Sequence, residues 1–317
     1  MKKVVEVLVK IIVGVALISY LFYKIGVQQI IEILPKMNIF YFSLFLVSFF
    51  ASLALGIFNI KILLDGLGYD LTFKRVAKYY TASWAIGLYA PGKLGEFSLV
   101  YLLKREKIGM GQSMAIAVLD KMITFIVFSL FSVIGFIVFL TLTESLWLLM
   151  VILSLLIIAL FFMLSEFGRN LVRKYLLRRF SGKFSGFYVT VKMFIKEKKI
   201  LLVYNLLLTV VKLLLMALSI FLLFLSFDTL VPFIYTMLII AIGTIISLVP
   251  ITFSGFGVRE AASVYLFSKL GISAAVTLTV FLIALITNFI ISAIVLFIVI
   301  KKMRLYEELK EAREIFR

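Results

Sequence analysis

The sequence predicts an all-α, polytopic membrane protein with about six full spans and two broken helical hairpins, eight hydrophobic segments in all. Three observations predict it. Of 317 residues, 64% are hydrophobic and only 15% charged, with a mean hydropathy of +1.19, whereas a soluble domain is nearer half apolar and a quarter charged. The apolar residues fall in runs of the roughly 20 residues that a helix needs to cross ~30 Å of hydrocarbon. Two of these runs are interrupted by proline, glycine and polar residues, and irregular backbone at bilayer depth is tolerated only where protein or a wet cavity covers it. No soluble-looking block is long enough to bury its own core, so residues 1–317 read as one integral domain.

The formal net charge of +17 would point to nucleic acid in a soluble chain. Here it points to an anionic membrane surface and to topology signals, and no nucleic-acid motif is present. There is no cysteine and no histidine, which removes thiolate chemistry, disulfides and imidazole bases or ligands together. No cofactor is implied, and no acidic metal motif is visible.

In chain order, about 4–23 is the first span. Its basic start resembles a secretory signal, but Glu6 and Lys10 interrupt the run, no small-residue cleavage site follows, and the segment reads as retained. Glu6 and Lys10, four apart, can pair on one helix face. The second span is about 39–60. The broken segment at about 76–104 has Lys61, Lys74, Arg75 and Lys78 before it and Lys104, Arg105 and Lys107 after it. Basic residues at both ends put both on the cytoplasmic side, so it reads as a re-entrant hairpin that runs to Ala90, breaks at 91–95 and returns from Glu96.

Segments at about 112–140 and 145–164 are full spans joined by a short connection carrying only Glu144. The loop 165–199, with Arg169, Arg173, Lys174, Arg178, Arg179, Lys183, Lys192, Lys196, Lys198 and Lys199, reads as cytoplasmic, either a basic amphipathic segment on anionic lipid or a plain topology signal. About 200–225 spans outward to a connection carrying only Asp228. The second broken segment, about 229–270, then starts and ends outside, although 229–249 alone is long enough for an ordinary crossing. The last span, about 272–300, ends inside at Lys301, and the tail 301–317 is an amphipathic helix with Leu305, Leu309, Ala312 and Ile315 on one stripe. Both termini are expected in the cytoplasm, and the membrane is expected to be the plasma membrane.

The two broken regions resemble each other. Glu96 and Glu260 each open the pattern E-x-x-x-V-Y-L after proline and glycines, and each region lies between two full spans. The units 39–140 and 200–300, threaded in opposite directions, form an inverted repeat, the common architecture of secondary transporters.

At each break a returning half-helix would place free N–H groups and a positive dipole end at mid-membrane, where glycines let a ligand approach the backbone. Such ends can hold an anion, and the anion at hand is a lipid phosphate. The candidate substrate-binding residues are therefore Lys93 and Glu96 at the first break and Ser254, Gly255, Gly257, Arg259 and Glu260 at the second. Asp120 and Lys121, inside the 112–140 span, join them because ionisable groups at that depth mark function by default. Each has a plainer reading: Arg259 and Glu260 pair and cap a helix, Lys93 snorkels, and Asp120 pairs with Lys121. Thr287 and Asn288 read as interhelical hydrogen-bonding groups, Asn205 and Lys212 as packing or snorkelling groups, and Tyr79, Tyr80, Trp84 and Tyr89 as an interfacial aromatic belt in preference to a cavity lining.

The stretch APGKLGE at 90–96, with Lys104, Arg105, Gly109, Asp120 and Lys121, and the stretch SGFGVRE at 254–260 resemble the two signatures of the lysylphosphatidylglycerol synthase transmembrane (flippase-like) family. The likeness spans nearly the whole chain. It implies a role in moving a modified lipid between leaflets. The family domain also occurs fused to a lipid-aminoacylating synthase or a glycosyltransferase, and this chain is expected to be a stand-alone membrane domain without aminoacyl transfer. The chain departs from the family at Asp120 and Lys121, where Glu-Arg is usual, and near Thr287 and Asn288, where an arginine is common.

The sequence thus points to a non-enzymatic translocase for a phospholipid or polyprenyl-phosphate-linked lipid. The alternatives are a non-transporting partner of a lipid-modifying synthase or glycosyltransferase, and an intramembrane phospholipid transferase or phosphatase. The last of these is disfavoured because Glu96, Asp120 and Glu260 are scattered rather than set in one acidic motif.

Overall fold

A computed structural model describes residues 2–90, 95–165, 186–249 and 252–315. Pro91, Lys93, Pro250, the 166–185 part of the basic loop, the Glu6 side chain expected to pair with Lys10 and the side chains of the 302–315 tail lie outside the described residues. Among the described residues there are helices and no strand. Among the described residues four helices are long and apolar enough to cross a membrane on their own: α3 (Ile39–Gly66), α6 (Met110–Phe139), α9 (Lys199–Leu225) and the Ala274–Lys301 part of α12 (Ala274–Ile315). The chain is a multi-pass membrane protein. Its lipid-facing surface is visible on α12, where Ile286, Ile290, Ile294 and Phe297 form an exposed apolar stripe at helical spacing.

The remaining expected spans are less regular. α1 (Lys2–Ile25) ends at Gly26, whose φ of 93° turns the chain by 82° into α2 (Val27–Ile33), so the first expected span is an apolar helix pair bent at a glycine. α7 (Leu142–Leu164) starts with a capping box in which Thr141 Oγ1 accepts from Glu144 N–H and Glu144 Oε2 accepts from Thr141 N–H. A short α8 (Phe187–Lys196) precedes α9. The last span and the tail form one continuous 42-residue helix rather than two.

Both broken segments fold back on themselves. The first is α4 (Phe73–Leu88) and α5 (Ser98–Leu103); the second is α10 (Phe233–Leu248) and α11 (Val258–Ser268). α4 and α10 have 16 residues each, or about 24 Å at 1.5 Å per residue, short of the hydrocarbon thickness. The arms of the first hairpin are joined by Tyr79 Oη donating to Glu106 Oε1 at 2.6 Å near its base and by Ser83 Oγ donating to the Glu96 carbonyl near its tip. Gly87 leaves room there that the Glu96 side chain fills. In the second, a Cβ on Gly243 would lie 3.1 Å from Arg259 Cγ, and one on Gly255 would strike Ser247.

α6 shows how the hairpins are aimed. The first has its base by the start of α6, where Tyr69 Oη donates to Gln112 Oε1 at 2.7 Å. The second has its base at the end of α6: Lys269 Nζ donates to the Phe139 carbonyl at 2.7 Å, and the Phe139 ring lies 5.7 Å from that of Tyr235. The hairpins thus approach from opposite ends of α6, and their tips meet between those ends.

The two spans that precede the hairpins are antiparallel. Ser48 Oγ of α3 donates to the Leu215 carbonyl of α9 at 2.9 Å, while further along α3 Asn59 Nδ2 donates to Thr209 Oγ1 at 3.0 Å. Each hairpin packs on the span that follows the other: Gly135 of α6 lies against Ile242 of α10, and Tyr89, just after α4, bonds Ser292 of α12 at 3.1 Å. The turns into the two hairpins have matching hydrogen bonds. Leu67, Gly68 and Tyr69 donate to Leu64, Asp65 and Leu64, and Phe227, Asp228 and Thr229 donate to Phe224, Leu225 and Phe224. In the shared E-x-x-x-V-Y-L pattern Tyr101 and Tyr265 are both exposed, while Leu102 and Leu266 are both buried.

Candidate functional site

The hairpin tips bound a cavity of about 500 Å³. Glu96 of the first tip and Ser254, Gly255, Arg259 and Glu260 of the second lie on its wall, with Lys121 from the middle of α6. These are six of the nine residues singled out from the sequence. Asp120 is 2% exposed and stands behind Lys121, its Oδ2 3.3 Å from Lys121 Nζ. Gly257 faces α1 instead: a Cβ there would lie 2.7 Å from the Gly14 carbonyl oxygen. Lys93 lies outside the described residues.

At the second tip the backbone turns sharply because Ser254, Gly255 and Gly257 all have left-handed φ values of 51°, 79° and 80°, a conformation glycine adopts without strain. α11 starts immediately afterwards, and Glu260 Oε2 accepts the Gly257 N–H at 2.7 Å. The carboxylate therefore takes an N–H that the sequence reading reserved for ligand. Arg259 Nε is 3.7 Å from Glu260 Oε1, which pairs the charges without a hydrogen bond, and the guanidinium lies 5.7 Å from the Phe281 ring centroid.

At the first tip Glu96 lies in a 3₁₀ turn at 95–97 ahead of α5, not in the first turn of a half-helix. α5 has only six residues, too short to supply the dipole expected of it. Glu96 instead forms an ion pair with Lys121. The Asp120–Lys121 pair of the plainer reading is present, and Lys121 extends it by bridging Asp120 to the first hairpin tip.

Three polar atoms of cavity-lining residues are buried with no hydrogen-bond partner: Arg259 Nε, Ser254 Oγ and Thr124 Oγ1. Buried polar groups are otherwise almost always satisfied, so these three atoms leave the packing behind the wall with unmet hydrogen-bonding capacity. Around them the lining is aromatic. Tyr80 and Trp84 face the cavity rather than forming an interfacial belt, and Phe49 packs edge-on against Trp84 with centroids 6.2 Å apart. Tyr79 is tied to Glu106 and Tyr89 to Ser292. Asn288 also lies on the wall and donates within its own helix to the Ala284 carbonyl at 2.7 Å, so it is not an interhelical bridge. Asn205 does pack as expected, donating to the Asn59 carbonyl at 3.2 Å. Lys212 of α9 lies on the cavity wall, a position that the sequence reading missed.

Among the described residues no group of three or more His, Cys, Asp or Glu side chains comes together to hold a metal ion. No curated protein matches the chain. The family model described as the lysylphosphatidylglycerol synthase TM region matches residues 7–295. Its span takes in both hairpins, every helix bordering the cavity and all nine residues singled out from the sequence, so the chain belongs to the lysylphosphatidylglycerol synthase TM region family, a family tied to membrane lipid biology.

Proposed function

We propose that the chain is a translocase for a phospholipid or polyprenyl-phosphate-linked lipid, working in the plasma membrane with both termini in the cytoplasm. The observation that carries this reading is the cavity between the two hairpin tips, whose wall holds Lys121, Lys212 and Arg259 within an otherwise largely apolar and aromatic lining. A head group would occupy the cavity while its tails stay in the bilayer. The units 39–140 and 200–300 act as an inverted repeat in this reading. It is supported by the antiparallel α3–α9 pair, the matched turns and the opposed hairpin bases. Alternating access then comes from rocking one unit against the other around a fixed site.

The test is lipid movement in proteoliposomes. Fluorescent phosphatidylglycerol is reconstituted with the protein, and the fraction bleached by an external reductant is followed in time. The expected result is bleaching of both leaflets with wild type and of the outer leaflet alone with Arg259→Ala. A wild-type rate equal to that of protein-free vesicles, for this lipid and for a polyprenyl phosphate probe, sinks the reading.

A further inference from the structure

Lys212 is the central residue of the 27-residue α9. Its Cα lies roughly 20 Å along the helix from either end, beyond what the four-carbon stem of a lysine spans. Two contacts fix its level independently, Ser48 with Leu215 on one side and Asn59 with Thr209 on the other. Snorkelling to an interface is closed to this side chain.

Lys212 is half-buried and faces the cavity, as do Met216 and Ser219 on the following turns of the same helix face. The other two cations on the wall have counter-charges: Lys121 has Glu96 and Asp120, and Arg259 has Glu260. Lys212 has no hydrogen bond or ion pair with any described residue. An ammonium at the centre of a membrane helix is expensive unless it is compensated.

We infer that Lys212 is the phosphate-binding cation of the cavity: the ligand's phosphate oxyanion is its missing counter-charge, and the guanidinium of Arg259, also on the wall, is the second donor. This rests on the translocase reading and names the group that holds the phosphate. The two cations do different work. Arg259 presents a planar fork that orients the phosphate, and Lys212 presents a compact point charge that tolerates rotation about it. At the matching level of α3, Ser52 is also on the wall, its hydroxyl donating to the Phe49 carbonyl at 2.8 Å. At this level only α9 carries a charge, and the phosphate is held toward α9 rather than midway.

The chain has two tryptophans; Trp84 lines the cavity, and Trp147 is 66% exposed on α7. In a Trp147→Phe background, Trp84 fluorescence therefore reports filling of the cavity. The purified full chain in neutral detergent is titrated with dioctanoyl phosphatidylglycerol, with dioctanoylglycerol, which has the same tails and no phosphate, and with inorganic phosphate. Lys212→Met is expected to weaken phosphatidylglycerol binding about tenfold or more and Lys212→Arg less than about threefold. Dioctanoylglycerol binding is expected to be unchanged in both. Melting of Lys212→Met is expected at or above the wild-type temperature, because no partner is orphaned and an uncompensated charge is removed. Inorganic phosphate binding as tightly as the lipid, and lost in Lys212→Met, supports the anion site and makes the free anion the ligand. Equal phosphatidylglycerol affinity in wild type and Lys212→Met overturns the inference and leaves the translocase reading standing. A parallel loss of dioctanoylglycerol binding, or a melting drop shared by Lys212→Met and Lys212→Gln, assigns the residue to the scaffold and overturns it as well. A wild-type protein that responds to neither phosphate-bearing probe, nor to a short-chain polyprenyl phosphate titrated in the same way, overturns the translocase reading itself.

Discussion

Lys121, in the middle of α6, is ion-paired with Glu96 at the tip of the first hairpin. The lysine side chain is 32% exposed and the glutamate 16% exposed, and Asp120 holds the same ammonium at 3.3 Å. This pair ties the hairpin tip to a full span at the level of the cavity. Removing Lys121 leaves two carboxylates near each other without a cation. Lys121→Met is expected to destabilise the protein by about 1–3 kcal/mol, between the values for exposed and fully buried pairs. Glu96→Gln in the Lys121→Met background is expected to recover part of the loss. Arg75→Met, which breaks a pair with Glu106 in which Arg75 is 63% exposed, is expected to cost less than about 1 kcal/mol. Thermal unfolding of the four proteins in one detergent checks the ranking, and equal losses for Lys121→Met and Arg75→Met overturn the tie.

A second relationship fixes the other tip. Gly257 has a φ of 80°, and a Cβ on it would meet the Gly14 carbonyl of α1 at 2.7 Å. Gly271 has a φ of 77° with nothing within 4 Å of its Cβ position. The two glycines share a conformational requirement and differ in crowding. Gly271→Ala is expected to cost about 1–2 kcal/mol from the left-handed backbone alone. Gly257→Ala is expected to cost more and to loosen α1 as well, seen as faster proteolysis of the N-terminal helix. Identical stability losses at both positions would remove α1 from contact with the second tip.

Glu260 serves two ends, capping α11 through the Gly257 N–H and standing beside Arg259. Alanine and glutamine separate these. Glu260→Ala loses the cap and is expected to lower stability by about 1 kcal/mol. Glu260→Gln keeps an acceptor for the Gly257 N–H and removes the counter-charge of Arg259. It is expected to melt within a few tenths of a kcal/mol of wild type while altering lipid movement in the proteoliposome assay. Unchanged movement in Glu260→Gln limits the residue to its capping role.

The sequence made the hairpins legible because proline and glycine interrupt apolar runs in which nothing else does, and the E-x-x-x-V-Y-L repeat survives in matched burial of Leu102 and Leu266. It could not show which way α4 faces. Tyr80 and Trp84 read as a belt in preference to a cavity wall until the position of α3 is known, and Phe49 of α3, packed on Trp84 at the cavity, settles it the other way. Lys212 was hidden by a one-dimensional habit: a lysine in an apolar helix reads as snorkelling unless its distance from both ends is counted. The matched turns after α3 and α9 were invisible because their sequences, LDGLGY and FLSFDT, share almost nothing. What they share is a pattern of backbone hydrogen bonds closed by a left-handed residue, glycine at 68 and aspartate at 228.

The opposed hairpins make a prediction about sidedness that the absence of cysteine makes clean to test. If each hairpin re-enters, its two ends lie on one side of the membrane; if the repeat is inverted, the two hairpins open to opposite sides. Lys74 and Lys104 mark the ends of the first, Leu230 and Ser268 those of the second, and all four are exposed. Single substitutions Lys74→Cys, Lys104→Cys, Leu230→Cys and Ser268→Cys are expected to keep the fold, since none of the four side chains is buried. An impermeant maleimide applied to sealed vesicles of known orientation is expected to label the first two from one side only and the last two from the other only. Lys74→Cys and Lys104→Cys labelled from different sides would mean that α4 and α5 together cross the bilayer. All four labelled from the same side would leave two parallel hairpins, and the head group could then no longer be passed between tips that open to opposite leaflets. Labelling of Leu230→Cys and Ser268→Cys from the side opposite the basic residues Lys74 and Lys104 is also what the charge distribution requires, because lysine and arginine are retained on the cytoplasmic face.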